Sequence, residues 1–257
     1  MNFYSDIFDS EVRDMGDECY FHFINIKLLD KGLTDLIDQR IVSICEGSST
    51  TTLDEIKERL VVFLTPKKGS TIEMGAIAEF FSHLYLNEIG FKQEFLFLNL
   101  EEGSIKKGFD GYYSRLDETW IYESKSGSKS TEKISHKRKI KEAYADLDGK
   151  ISGNVKNNPW QNAYHHASQI DVNSEIGIRN QLKKFANEFT MKKYHEIESF
   201  NIIPGSTIFV DGVWSQIDSD VLEAELKGVV EKLQFKKIHI VCVNKASVQL
   251  FWDYLES

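Results

Sequence analysis

A chain of 257 residues, 41% apolar and 28% charged with a net charge of −9, can bury a sizeable core as one large α/β domain or two small ones. The acidic balance excludes a protein that coats nucleic acid through bulk electrostatics, and no apolar stretch approaches the roughly 20 residues that span a bilayer. Met1 to Asp6 lack a signal-peptide pattern, and three scattered cysteines, Cys19, Cys45 and Cys242, make neither a disulfide framework nor a zinc site, so the expected address is the cytoplasm.

In chain order, Tyr20 to Leu29 reads as a strand and Leu33 to Cys45 as a helix, or a helix plus a strand. A polar loop spans Ser48 to Thr52. Helix-start character at Asp54 carries through Leu60 to Leu64, and Pro66 to Ser70 forms the clearest break. These 70 residues read as an N-terminal α/β extension. The apolar stripe Ile72, Ile77, Phe80, Phe81 and Leu84 predicts a helix from Thr71 to Ile89, stopped at Gly90. Composition and alternation predict a strand over Glu94 to Leu100 and a hairpin over 108 to 125, with a turn at Gly111. A basic helix follows over Lys133 to Asp146. Asn158 and Pro159 suit the cap and first position of a helix from Trp160 towards Ile170. Further elements are a helix over Gln181 to His195, strands over Ser206 to Val210 and Lys237 to Val243 around a helix near Asp220 to Leu233, and a closing helix over Ala246 to Leu255. The order predicts a mixed central sheet flanked by helices, with residues 71–257 as the main domain.

The chemistry concentrates between Gly108 and Gly127. Glu123 and Lys125 lie two apart at the end of the apolar run Trp120-Ile121-Tyr122, so in a strand they share a face. A hairpin returns Asp110 beside them. Two carboxylates and a lysine at one strand end can hold a divalent cation and a water against a phosphodiester. From Ser124 to Trp160 nine Lys/Arg stand against four Asp/Glu, an excess of five (9 − 4). Such a run is either a solvated helix face or a grip on a polyanion.

Asp110 followed by Glu123-Ser124-Lys125 resembles the core signature of the PD-(D/E)xK nuclease superfamily, with Phe109 where the family often has Pro. The likeness covers roughly residues 71 to 170 and implies a restriction-endonuclease-like fold. It also implies Mg²⁺ (or Mn²⁺) held by Asp110, Glu123 and the Ser124 carbonyl, with Lys125 supporting the attacking water and the transition-state charge. Gly75-Ala-Ile-Ala-Glu79 is similar to the Gly-x-x-x-Glu helix of archaeal Holliday-junction resolvases, which implies a metal-site role for Glu79. Glu73 is the second choice; six residues earlier, it points about 120° away from Glu79, and both could line one cleft. Asn158-Pro159-Trp160-Gln161 is similar to the Asn-Pro-x-x-Gln helix of nuclease-related domains, with Gln161 one residue early, which implies a catalytic role for Gln161. Gln161 and His165, at i and i+4, would face together. A histidine metal site at His165 and His166 lacks a third soft ligand at motif spacing.

The run from the Gly/Glu helix to Glu-Ser-Lys resembles the nuclease subunit of Hachiman-type antiphage systems, in which a helicase subunit is the partner. Ser126-Gly127 replaces the aromatic pair expected there, and only Glu73 remains of the acid pair around Gly75. The resulting expectation is a Mg²⁺-dependent deoxyribonuclease. Lys129, Lys133, Lys137, Arg138, Lys139 and Lys141 would grip the DNA backbone without reading sequence. Tyr112 and Tyr113 are candidates for base stacking or for the hairpin core. Two alternatives stay open: a standalone restriction endonuclease, and a binding subunit with an unused site. The second suits the acidic segment from Glu196 to Ser257, where five Lys/Arg face ten Asp/Glu. A homo-oligomer is also left open.

Overall fold

The computed structural model describes residues 3–98 and 108–257. Its described strands form one seven-stranded sheet in the order β1-β2-β7-β6-β5-β4-β3. They are β1 (Asp9–Asp14), β2 (Cys19–Ile26), β3 (Lys92–Gln93), β4 (Gly111–Arg115), β5 (Glu118–Ser128), β6 (Asn201–Phe209) and β7 (Lys237–Lys245). The four central strands β2, β7, β6 and β5 run parallel, and antiparallel partners flank them on both sides. Parallel strands covered on both faces read as continuous apolar runs, and every residue of β6 is buried. Pro204 interrupts that run. It has no N–H to donate, and the β6–β7 register skips Ile203 and Pro204 before resuming at Gly205 opposite Val241.

The helices α1 (Lys31–Glu46), α2 (Leu53–Leu64), α3 (Thr71–Glu88) and α8 (Gln249–Leu255) share one core with one sheet face. α4 (His136–Ile151), α5 (Pro159–Ala167), α6 (Ile176–Thr190) and α7 (Ser219–Val230) cover the other face. Local chemistry fixes the helix starts. Asp30 accepts from Leu33 N–H, Thr52 and Glu55 form a reciprocal capping box, and Ser70 accepts from the amides of Ile72 and Glu73. Asn158 caps α5 with Pro159 at its first position, as its sequence predicts. α3 ends where Gly90 adopts φ +90°, which lets Phe91 N–H return to Leu86 O at 2.9 Å.

Three sequence expectations are corrected. The segment predicted as a strand from Glu94 is irregular to Leu98, and its residues 99 and 100 lie outside the described residues. Its backbone bonds elsewhere: Phe97 N–H donates to Ile44 O at 2.9 Å and Leu98 N–H to Cys45 O at 3.2 Å, satisfying carbonyls at the end of α1. The short strand β3 lies just before it. β1, an acidic strand alternating between exposed and partly buried residues, is absent from the sequence reading. The hairpin turn falls at Leu116 and Asp117, both at positive φ, and not at Gly111, which is the first residue of β4. Residues 9–26 of the N-terminal segment contribute β1 and β2 to the same sheet, with β2 paired along its length to β7.

Candidate functional site

The β4–β5 hairpin brings Asp110, Glu123 and Lys125 to one place. Asp110 immediately precedes β4, and its Oδ2 accepts the backbone N–H of Ser124 at 2.8 Å and the Ser124 hydroxyl at 3.2 Å. Lys125 Nζ donates to Glu123 Oε1 at 2.9 Å, as two residues on one strand face can. Both reach towards α4. Asp146 on that helix accepts from Lys125 Nζ at 2.5 Å, and Lys150, one turn later, donates to Glu123 Oε2. Neighbouring residues of β5 face α3 instead, where Tyr122 lies against His83.

Gly111 and Gly108 make this approach feasible. A Cβ on Gly111 would stand 2.9 Å from the Tyr113 ring and 3.2 Å from His83. Gly108 adopts φ +80°, and a Cβ there would meet Pro159 Cα at 2.8 Å. The start of α5 therefore packs on the residues just before Asp110, and Phe109 meets Trp160 edge-on with centroids 4.9 Å apart.

Glu79 comes from α3 and is buried at 4% exposure. His83, one turn on, meets Glu79 Oε1 through Nε2 at 3.3 Å and the Tyr113 hydroxyl through Nδ1. Burial holds the Tyr113 phenol in its protonated form. Glu73 takes no part in this site. Its carboxylate accepts from Trp252 Nε1 at 2.6 Å and from Gly69 N–H at 2.7 Å, so it ties α8 to the start of α3. The expectation that Glu73 and Glu79 line one cleft is corrected accordingly.

The carboxylates influence one another. Burial, and then the charge of Glu79, raises Asp110 above the ordinary carboxylate range. Burial, and then Asp110, pushes Glu123 up to about 7 despite both lysines. Burial alone would lower Lys125, but Glu123 and Asp146 outweigh it and hold the ammonium protonated.

The donor set suits a hard divalent cation. Glu79, Asp110, Glu123 and Asp146 are four formal negative charges against the two ammoniums of Lys125 and Lys150, an excess of two (4 − 2). Carboxylate oxygens match Mg²⁺ chemistry. Among the described residues, however, no three His, Cys, Asp or Glu side chains stand together closely enough to hold a metal ion. Glu79 therefore acts on Asp110 through its charge without completing a three-carboxylate cage.

The other predicted residues are placed as follows. Gln161 Nε2 lies 2.6 Å from His165 Nε2, so this i,i+4 pair shares a face of α5, and Gln161 makes no bond to Asp110 or Glu123 among the described residues. Lys129 and Lys133 are exposed before α4; Lys129 donates to Ser215 Oγ at 2.7 Å and Lys133 pairs with Glu132 at 3.4 Å. Arg138 and Lys139 share Glu142, while Lys137 and Lys141 have no acid partner among the described residues. Tyr112 and Tyr113 are fully buried, which assigns them to the hairpin core and rules out base stacking. The three cysteines are buried thiols, not joined by disulfides.

Sequence reasoning missed Asp146, Lys150 and His83. The Glu79/His83 spacing of four was a usable signal for His83. No local pattern pointed to Lys150, which reaches Glu123 only because α4 packs across β5. Among the described residues no helix is long and apolar enough to cross a membrane. Compared with known proteins, the chain matches the family model described as HamA over residues 5–255. No curated protein matches it.

Proposed function

Because this chain belongs to the HamA family, a component of Hachiman-type antiphage defence, we propose that it is the metal-dependent nuclease of such a system, cutting DNA phosphodiester bonds beside a helicase subunit. The observation that carries the reading is the meeting of Asp110, Glu123 and Lys125 at the hairpin, with Ser124 N–H on Asp110 at 2.8 Å and Lys125 on Glu123 at 2.9 Å. The PD-(D/E)xK resemblance gives these three residues their roles.

Asp110 and Glu123 would hold Mg²⁺ or Mn²⁺, with the Ser124 carbonyl and water filling further positions and Glu79 adding negative charge behind Asp110. The bound ion supplies Lewis acidity to the phosphoryl oxygen and acidity to a water. The Ser124 N–H fixes Asp110 and leaves its Oδ1 for a ligand. Protonated Lys125 donates to a non-bridging phosphate oxygen as charge builds there, and Asp146 orients it. The exposed cations Arg138 and Lys141 and the half-buried Lys137 on α4, with Lys129 and Lys133 ahead of it, would bind the DNA backbone.

The test is incubation of the purified chain, alone and with its helicase subunit, with plasmid and linear DNA plus Mg²⁺. Cleavage lost in folded Glu123→Ala and Lys125→Ala supports the reading, and full cleavage by both variants sinks it. A second reading, a binding subunit with an unused site, is favoured by the lysines that cover both oxygens of Glu123. DNA binding without cleavage, with and without the helicase subunit, would establish that reading instead.

A further inference from the structure

The site contains a cation that the Glu-x-Lys motif does not supply. Lys150 donates to Glu123 Oε2 while Lys125 takes Oε1, so the chain's own ammoniums occupy both oxygens of the carboxylate. The two lysines are not equivalent. Lys125 also holds Asp146 at 2.5 Å and keeps an acid partner if Glu123 turns to another cation. Lys150 has Glu123 as its one ion-pair partner among the described residues; its charge also acts on Asp110, and the Phe109 ring lies 5.9 Å from Nζ.

Position reinforces the difference. Lys125 sits on β5 beside Glu123, where the strand fixes its direction. Lys150 arrives from the last turn of α4, beside the buried residues Leu147 and Ile151, on a flexible four-carbon stem whose side chain is 17% exposed. It can swing outward without disturbing the helix stripe that packs on the sheet.

Resting on the reading of Asp110 and Glu123 as metal ligands, we propose that Lys150 is a resident counter-ion for Glu123 that a divalent cation must displace, so that it sets the metal affinity of the site. Without metal it neutralises a buried carboxylate. On metal binding, Glu123 Oε2 exchanges the ammonium for the ion, and Lys150, repelled by the new charge, turns towards solvent. Lys125 stays in place on Asp146.

The experiment is Mn²⁺ titration of the full-length chain by calorimetry, with parallel melting curves in chelator and in Mn²⁺. It uses wild type, Lys150→Met, Lys150→Gln, Lys150→Arg and Glu123→Gln. A charge-assisted hydrogen bond contributes roughly 1.5–3 kcal/mol, and each 1.4 kcal/mol is tenfold in affinity. Lys150→Met and Lys150→Gln are therefore expected to bind Mn²⁺ about tenfold or more tightly than wild type. Their melting temperatures should be lower in chelator and rise more on Mn²⁺ addition. Lys150→Arg, which keeps the charge, is expected within about threefold of wild type. If wild type binds Mn²⁺ through Glu123 but neither neutral variant binds it more tightly, the counter-ion proposal is overturned and the metal-ligand reading survives. If Glu123→Gln leaves Mn²⁺ binding unchanged, both are overturned.

Discussion

The backbone N–H of Ser124 donates to Asp110 Oδ2 at 2.8 Å, tying the residue before β4 to the middle of β5. The Ser124 hydroxyl donates to the same oxygen at 3.2 Å. These contacts set Asp110 against Glu123 even though their charges repel. Two like charges held side by side by backbone geometry are a standing electrostatic cost, and that cost is what a cation would relieve.

Asp110→Asn and Glu123→Gln keep the hydrogen-bonding shape of the site and remove one charge each. Both are expected to reduce Mg²⁺-dependent plasmid nicking by about 100-fold or more, in the range seen when a single transition-state contact is lost. Lys125→Ala should lose a similar factor, measured as initial rates on supercoiled DNA with circular dichroism to check folding.

Replacing Lys137 and Lys141 with Glu on the outer face of α4 is expected to weaken DNA binding across all sequences. It should flatten the slope of log affinity against log salt by about one to two units. At the exposed Lys141 alone, stability should change by no more than about 0.5 kcal/mol. Fluorescence anisotropy at several salt concentrations reads the slope directly. An unchanged slope would place the DNA path elsewhere.

Glu73→Ala would strand the buried Trp252 indole N–H, and a buried donor left without a partner costs about 1–3 kcal/mol. Urea denaturation should show a loss of that order, with Mn²⁺ affinity unchanged in the folded fraction. Glu79→Gln should do the opposite: a small effect on stability, and weaker metal binding through the lost negative charge behind Asp110.

The dependence of stability on pH has two opposing parts. His22 and His239, buried in the sheet, and His136, buried at the start of α4 against it, are held neutral. Burial pushes His22 down to about 3 and His136 to about 4, and His239 falls well below its ordinary value. A depressed folded value means stability present above pH 6.5 and lost as pH falls towards 4, because the unfolded chain binds more protons there. Glu123 works the other way. Its folded value, about 7 against 4.5, gives stability present below pH 4.5 and lost as pH rises through 7. In chelator, wild type minus Glu123→Gln should isolate the second part, a difference of order 3 kcal/mol between pH 4.5 and 7.5. Excess Mn²⁺ should shrink it.

The parts of the fold visible in the sequence are those written in short-range periods. The helix stripe of α3, the Asn158–Pro159 start of α5 and the two-residue spacing of Glu123 and Lys125 each lie within one element, where 3.6- or 2-residue repeats determine facing. What escaped detection depends on how elements pack. Phe95, Leu96 and Phe97 have strand composition, yet part of their segment's backbone caps α1. β1 carries only Val12 as an apolar residue and exists because β2 offers an edge. Lys150 reaches Glu123 through the rotation of α4 against the sheet, which no window of sequence encodes.

Among the described strands β7 comes last in chain order, yet it lies between β2, near residue 20, and β6. Until residues 237–245 leave the ribosome, the growing polypeptide holds two partial sheets, each with an open parallel edge of bare amides and carbonyls. Long-range pairings of this kind are slow to form and prone to stray association. β7 thus joins the two parts of the sheet, and a chain interrupted before it would carry two adhesive edges in place of a finished sheet.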